Sequence, residues 1–512
     1  MKGSGSFRFI KLFLFFTLFI SLFSTAQESP IHDLIIKNGQ ILDGTGAAPY
    51  YATLVINNGI ISEIQRDTAL NFKAKRVLNA RDHLVTPGFI DTHAHGDPLE
   101  TPQFHNFLAM GVTTISLGQD GFSPEIEDLM GWIQKVNTAA PGVNIISFAG
   151  HNTLRQLSGI GFDSVPSKEK LVAMENLLAN AMKSGAFGMT TGLEYSPGKF
   201  SRRAELRSLA QIVGRNNGII MSHLRNEDDE EVEASIKELL AQGEFSPVHI
   251  SHIKVVYGKG KERAREILDI INKAQEDGIK ITADIYPYTA SYTGIAILFP
   301  DWAKQPNNYK EVLTNRRKEL ADFLDKKLKQ RNGPEAILIG TGPFKGLTLA
   351  GVAAQLNKPF EEVLMDDIGP YGAGAAHFIM DDDLQRELLT HPLINIYSDG
   401  SPSMRHPRGY GSFPKIIETY VLEENLISIE EAVYKMTGLP AKTLQLDDRG
   451  TIEPEKIADI LVFRAKDIKE NATYEDPHNL ARGMKYVIVN GEFAKEHENF
   501  SRAGFGSVLI KK

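Results

Sequence analysis

Two histidines spaced two residues apart, His93 and His95, follow an apolar β-type run that starts at Leu84 and continues through Thr86, Gly88, Ile90 and Asp91. In an extended strand alternate side chains share a face, so both imidazoles point the same way with Asp91 beside them. Two imidazoles converging at a strand end, just before the loop Gly96-Asp97-Pro98, suit one divalent metal ion. The bland alternative is a surface strand with two incidental histidines, so further ligands must come from elsewhere in the chain.

Most of the 14 histidines have ordinary surroundings. His32, His83, His105, His391, His478 and His497 lie in polar or turn-like stretches and read as surface residues. Others fall at the ends of apolar runs. His223 closes Gly218–His223, His252 lies near the end of Pro247–Lys254, and Asp399 closes Leu393–Asp399 just before Gly400. Period-two alternation puts His252 and Lys254 on one face with Ile250, and leaves His249 on the other, packed against a helix. Four imidazoles of this kind can hold one or two divalent ions, with Asp399 as ligand, general base or both. A two-metal site needs a bridging group. The candidate is Asp120, just beyond the run Gly111–Leu117, whose other reading is an ordinary turn aspartate before Gly121.

The elements that would position these residues alternate between β-type runs and helix-like segments such as Lys168–Ser184, Ser201–Asn217, Glu230–Gln242 and Lys261–Asp277. Such alternation predicts an α/β fold, a (β/α)8 TIM-like barrel with chemistry at the C-terminal ends of its strands. There are one or two runs too many for eight strands, so either Lys280–Tyr286 or Ala336–Gly340 belongs to an insertion. Short β segments before Val85 and after Ala458 predict a small β-sandwich module built from both chain ends. Asn-Gly pairs at 38–39 and 58–59 favour tight hairpin turns there. The division is 1–26 signal peptide, 27–86 N-terminal part of the β-module, 87–445 barrel with an insertion near 287–348, and 446–512 C-terminal part of the module.

Lys2, Arg8 and Lys11 precede the apolar run Leu12–Phe23, and Ser24-Thr25-Ala26 supplies small residues for cleavage. A run this short falls below the ~20 residues a membrane span requires. The expectation is an exported protein, periplasmic or secreted, with no stable membrane insertion once the signal is removed. With no cysteine in 512 residues, disulfides, zinc–thiolate sites and cysteine nucleophiles are excluded. A formal net charge of −8 without a Lys/Arg-rich block gives no reason to expect nucleic-acid binding.

The motifs PGFIDTHAH (87–95), GVTTISLGQDG (111–121), GHNTLR (150–155), TGLEYSPG (191–198), SHLRNE (222–227), ISHIK (250–254), YPYTA (286–290), SDGSP (398–402) and HPRGYGSFP (406–414) resemble the amidohydrolase superfamily, and within it the D-aminoacylase (N-acyl-D-amino-acid deacylase) family. The resemblance runs from about Leu34 to Phe493. It implies a zinc-dependent amide hydrolase using one or two Zn2+ ions. Its metal positions match His93, His95, His223, His252 and Asp399, and its substrate-binding positions match Lys254, Tyr286 and Arg408. Two positions depart: familiar members carry GNCG where this chain has GQDG (118–121), so Asp120 replaces a thiolate with a harder donor, and Ser291-Tyr292 stands where Gly-Ser or Ala-Ser is expected.

On this reading Asp399 takes a proton from the attacking water and returns it to the leaving amine. Tyr286 helps stabilise the oxyanion, and Arg408, with Lys254 assisting, holds the free carboxylate of a small-molecule N-acyl-D-amino acid. His151 orients a ligand or lines the pocket. Two rivals remain: a dipeptidase or cyclic-amide hydrolase on the same metal site, and a non-catalytic secreted binding protein. The run Ala186–Thr191 contains no lysine to carboxylate, which counts against the cyclic-amide version.

Overall fold

The computed structural model describes residues 31–66, 73–124 and 126–511, with isolated positions 1, 3 and 5. Apart from those isolated positions, the secretion signal expected over 1–26 lies outside the described residues. Among the described residues no helix is long and apolar enough to cross a membrane.

The architecture is α/β with parallel sheets at its centre. Eight strands carry it: β1 (Phe89–Asp91), β2 (Val112–Leu117), β3 (Asn144–Ser147 continued by Ala149–Gly150), β4 (Gly188–Gly192), β5 (Ile219–His223), β6 (Val248–Ile250), β7 (Ile281–Ile285) and β8 (Ile394–Ile396). Each pairs in parallel with the next along the chain. Beyond the end of β8, Ala94 bridges Gly400 in parallel, His95 N donates to Gly400 O at 2.8 Å, and Asp399 N donates to His93 O at 2.9 Å. The strands are almost wholly buried, as expected for runs covered on both faces. Crossover helices supply the outer cover. In Arg203–Arg215 the apolar spacing Leu206, Leu209, Ala210 and Val213 turns one face inward. Leu209, Ile236 and Ile267 from three helices join Ile115, Ile220, Ile250, Ala283 and Ile396 from the strands in one apolar cluster.

The run from Leu84 to His95 is not one strand. Leu84–Pro87 belongs to the terminal module and β1 ends at Asp91. Gly88 marks the crossover, because a Cβ there would lie 2.1 Å from Thr113 Oγ1. The module draws Ile31–Ile41, Tyr50–Asn57, Ile60–Gln65, Lys73–Asn79 and Leu84–Pro87 from one chain end. Ile460–Phe463, Met484–Val489, Glu492–Glu496 and Asn499–Phe500 come from the other, and all nine strands hydrogen-bond in one sheet. Asn58-Gly59 forms the hairpin turn its sequence predicts, with φ of 52° and 74°. Asn38-Gly39 does not. It lies inside a strand, and the register shifts between Ile36 and Gly39. The positive φ that asparagine tolerates serves a bulge there instead of a turn.

Of the two runs left undecided, Ile281–Ile285 is β7, whereas Ile337–Ile339 joins Ala290–Gly294 and Gly374–Phe378 in a separate antiparallel sheet. This unit has its own apolar cluster, including Ile295, Leu298, Leu320, Leu324 and Val352. The insertion therefore extends past the boundary near 348 to Phe378. Gly374–Phe378 is as apolar as a central strand, but it is hydrogen-bonded to antiparallel neighbours, which period alone does not reveal.

Candidate metal centre

The predicted ligands lie at or just beyond the C-terminal ends of their strands and converge on Asp120. Asp120 Oδ1 is 3.4 Å from His93 Nε2, 3.7 Å from His223 Nδ1 and 3.3 Å from His252 Nε2. Its Oδ2 is 3.5 Å from His95 Nε2. Asp399 Oδ1 approaches His95 Nε2 at 3.0 Å and His93 Nε2 at 3.8 Å. Three donor groups result: His93/His95/Asp120/Asp399 and Asp120/His223/His252, which share Asp120, and Glu194/His223/Glu227. A carboxylate common to the first two is the arrangement a two-ion centre requires.

Three of these residues hold a backbone conformation that non-glycine residues rarely adopt: Asp120, His252 and Asp399 have φ of 54°, 41° and 51°. The turn at His252 corrects the expectation for its neighbour. Because the chain leaves the extended state after β6, period-two alternation fails, and His249 is not set against a helix. Its Nδ1 lies 2.7 Å from Thr282 Oγ1 and its Nε2 2.8 Å from Asp284 Oδ2. Asp284 in turn accepts from His252 N at 2.5 Å and from Thr92 Oγ1 at 2.8 Å. Asp91, expected beside the imidazoles, instead accepts from Ser398 N at 3.1 Å and Ser398 Oγ at 2.5 Å.

The donor set fits a divalent cation. His93 is fully buried, yet neither ring nitrogen has a hydrogen-bond partner. His223 Nδ1 and His252 Nε2 are only 2.8 Å apart, an approach that a shared cation or proton must mediate. Burial works against protonating His95 and His223, but the surrounding Asp120, Asp399, Glu194 and Glu227 carboxylates push both up to about 10. A field that strong holds positive charge at this point. Burial alone would raise the Asp399 carboxyl. Arg408 and the imidazoles of His95 and His93 reverse that and hold it well below the usual range.

The residues that the resemblance assigns to substrate binding lie beside this group. Arg408 Nη2 is 2.9 Å from Asp399 Oδ2, and its guanidinium lies 4.8 Å from the Tyr286 ring centroid. Tyr286 Oη and Arg408 Nε are buried without partners. Lys254 Nζ donates to Glu227 Oε1 at 2.7 Å and lies 2.7 Å from His252 Nδ1. Lys254, Tyr286, Asp399 and Arg408 line one cavity together with Asp120 and His223. A wider mouth beside Phe122, Pro124 and Met404 shares Asp120, Asp399 and Arg408 with it.

His151 does not join this cavity. It is buried with Nε2 2.7 Å from Glu205 Oε1, and Arg155 Nη1 pairs with the same carboxylate at 2.5 Å. Sequence reasoning, in turn, assigned no role to Glu194 or Glu227, although both lie within the motifs TGLEYSPG and SHLRNE. Glu227 Oε1 is 3.0 Å from His252 Nδ1 and Glu194 Oε2 is 3.1 Å from His223 Nε2. Each carboxylate fixes which ring nitrogen faces Asp120, the usual task of a carboxylate behind a metal-binding histidine. Their positions, four residues beyond His223 and on the turn after β4, were the available signal.

Comparison with known proteins agrees with this arrangement. The amidohydrolase family profile matches residues 350–494. N-acyl-D-glutamate deacylase of Alcaligenes xylosoxydans xylosoxydans is 31% identical over 485 residues, covering 90% of this chain and 93% of the relative. The crystal structure of N-acyl-D-glutamate deacylase from Bordetella bronchiseptica, complexed with zinc and a phosphonate inhibitor mimicking the tetrahedral intermediate, superposes with a TM-score of 0.82. It is 29% identical and covers 94% of this chain and 100% of its own. A D-aminoacylase structure described for its binuclear metal centre gives a TM-score of 0.81 at 28% identity, with 94% and 100% coverage. With His93, His95, Asp120, His223, His252 and Asp399 gathered at one point, the chain belongs to the amidohydrolase family, in its D-aminoacylase branch.

Proposed function

We propose that this protein is a zinc-dependent hydrolase that removes the acyl group from N-acyl-D-amino acids. The observation that carries the reading is the Asp120 carboxylate shared between two groups of imidazoles, with Arg408 and Tyr286 facing the same cavity. His93, His95, Asp120 and Asp399 would hold one zinc ion, and Asp120, His223 and His252 a second. Bound zinc supplies Lewis acidity, polarising the scissile carbonyl and making hydroxide available near neutral pH.

The chain's own residues do the rest. Asp399 Oδ1 faces the imidazoles and accepts the proton of the attacking water, then delivers it to the leaving amine. Tyr286 Oη, buried without a partner, donates to the developing oxyanion. Arg408, whose planar fork suits a carboxylate, binds the substrate's α-carboxylate. Lys254 adds positive charge beside it, while Glu227 holds it in place.

The frame we read is a closed (β/α)8 barrel, supported by the hydrogen bonds that return β8 to the chain after β1. The terminal sheet curls into a two-layered sandwich around Leu34, Ile36, Leu54, Ile460 and Ile488. Divisions at 27–86, 87–445 and 446–512 follow the change from module to barrel and back. The charged, apolar and small-residue order of residues 1–26 supports export, to the periplasm or beyond.

The test is hydrolysis of paired N-acetyl-D- and N-acetyl-L-amino acids and D-containing dipeptides by zinc-reconstituted protein. Release of free D-amino acid with little turnover of the L series is the expected result. Faster cleavage of the dipeptides would make the protein a dipeptidase, and turnover of none of them would refute the reading.

A further inference from the structure

A separate cavity opens at the far end of the strands from the metal centre. Its floor is Ile219, Val248 and Ile281, the first residues of β5, β6 and β7, with Leu439 from the helix Gly438–Thr443. None of these four is more than 3% exposed. Leu393, just ahead of β8, and Tyr434 extend the apolar wall. Four residues of extended chain span roughly 13 Å, so His223 stands at the opposite end of β5 from Ile219. At about 670 Å³ the space is far larger than a packing void and matches small-molecule sites in size.

The charge along this cavity has one sign. Lys280 and Lys442 line it, and among the described residues no aspartate or glutamate does. Neither ammonium enters an ion pair among the described residues. Acids close by in sequence are taken elsewhere: Asp277 pairs with Lys273 at 2.8 Å, and Asp448 with Arg449 at 3.1 Å. A third positive charge stands behind the wall, where the buried Lys435 donates to the carbonyls of His391 and Ile394, on either side of Pro392 and Leu393. Lys511, near the end of the chain, donates to Gln445 Oε1 in the wall at 2.6 Å and does not itself line the space.

We propose that this cavity binds an amphiphilic monocarboxylate, a medium-chain fatty acid, with its tail on the apolar floor and its carboxylate between Lys280 and Lys442. The inference goes beyond the deacylase reading and does not depend on it. An apolar floor alone accepts any apolar molecule. Two unpaired ammonium groups select an anion, and the absence of a lining acid leaves a cationic amphiphile without a partner.

The experiment is titration calorimetry of the full protein with hexanoate, heptanoate and octanoate, and with octanol and octylammonium as controls for the tail. One octanoate should bind per chain, and each added methylene should tighten Kd by about three- to fourfold, the transfer worth of one CH₂. Octylammonium should not bind. Lys280→Glu combined with Lys442→Glu should weaken octanoate by about tenfold and leave deacylase turnover unchanged. Arg408→Gln should leave octanoate binding intact, which separates this cavity from the carboxylate clamp at the metal centre. Absence of saturable octanoate binding overturns the inference. So does octanol or octylammonium binding as tightly as octanoate, whether or not the double variant folds. Loss of binding in Arg408→Gln overturns it as well, by placing the carboxylate at the metal centre. A wild-type dimer in sedimentation that the double variant dissociates gives the cavity to a second copy of the chain and also overturns it.

Discussion

His377 should make the insertion acid-labile by an amount the structure allows to be worked out. It lies in Gly374–Phe378, opposite Ser291 on one side and Ile337 on the other, fully buried with neither ring nitrogen hydrogen-bonded. Burial, reinforced by the nearby Arg331 charge, pushes its pKa from 6.5 down to about 3. The native state therefore keeps His377 neutral, while the unfolded chain takes up a proton below pH 6.5. Stability is complete above that value and falls as the pH drops toward about 3. At about pH 4.5 the single group removes roughly 3 kcal/mol, each unit below 6.5 being worth ~1.4 kcal/mol. Trp302 packs against the insertion's apolar cluster and Trp132 lies in the main one, so the two tryptophans separate the regions. Urea unfolding in a Trp132→Phe background, followed by Trp302 fluorescence at pH 7 and about pH 4.5, should show this loss in the parent, with His377→Leu abolishing most of it. Equal acid sensitivity in parent and His377→Leu would refute the assignment.

Asp399→Asn should lower kcat by about 10²- to 10⁴-fold, the usual worth of general acid–base catalysis, with an unchanged far-UV spectrum. Retained turnover would remove Asp399 from proton transfer. Arg408→Gln should raise KM for substrates with a free α-carboxylate by about tenfold to a hundredfold, and much less for their carboxamides. An equal change in both series would count against the clamp. Asp120→Ala should reduce the zinc retained after dialysis from two ions per chain to one, as read by elemental analysis. Retention of both ions would show that Asp120 does not bridge.

The strand-end residues were legible because chemistry interrupts an otherwise apolar run: His93, His223, His252 and Asp399 each follow buried β segments with no structural need for a polar end. The module's two halves were legible for the same local reason. Less visible was everything decided by pairing across the chain. Three apolar runs look alike, and only their hydrogen-bonded neighbours separate β7 from Ile337–Ile339 and Gly374–Phe378. His249 was misplaced because strand period was carried past Ile250, where the positive φ of His252 ends it. His151 has the residue type and the position of a pocket residue, but Glu205, 54 positions away, claims it. Glu227 and Glu194 are separated from each other by a strand and a helix, so their common service to His223 and His252 emerges only in three dimensions.

The backbone around the candidate centre is held by contacts outside the donor set. Left-handed backbone at Asp120, His252 and Asp399 costs on the order of 1–3 kcal/mol per residue, and such strain persists only where surroundings over-determine it. Here the surroundings can be named. His252 N is held by the Asp284 carboxylate, Asp399 N by the His93 carbonyl, and the turn after Asp120 by Gly121 N donating to Thr190 Oγ1 at 3.2 Å. None of these bonds uses a ligand atom. Glu227 and Glu194 leave Nε2 of His252 and Nδ1 of His223 facing Asp120. The chain therefore spends backbone strain to aim the residues at one point and leaves the Asp120 carboxylate in the middle. The frame fixes where the Asp120 carboxylate stands, between the two groups of imidazoles.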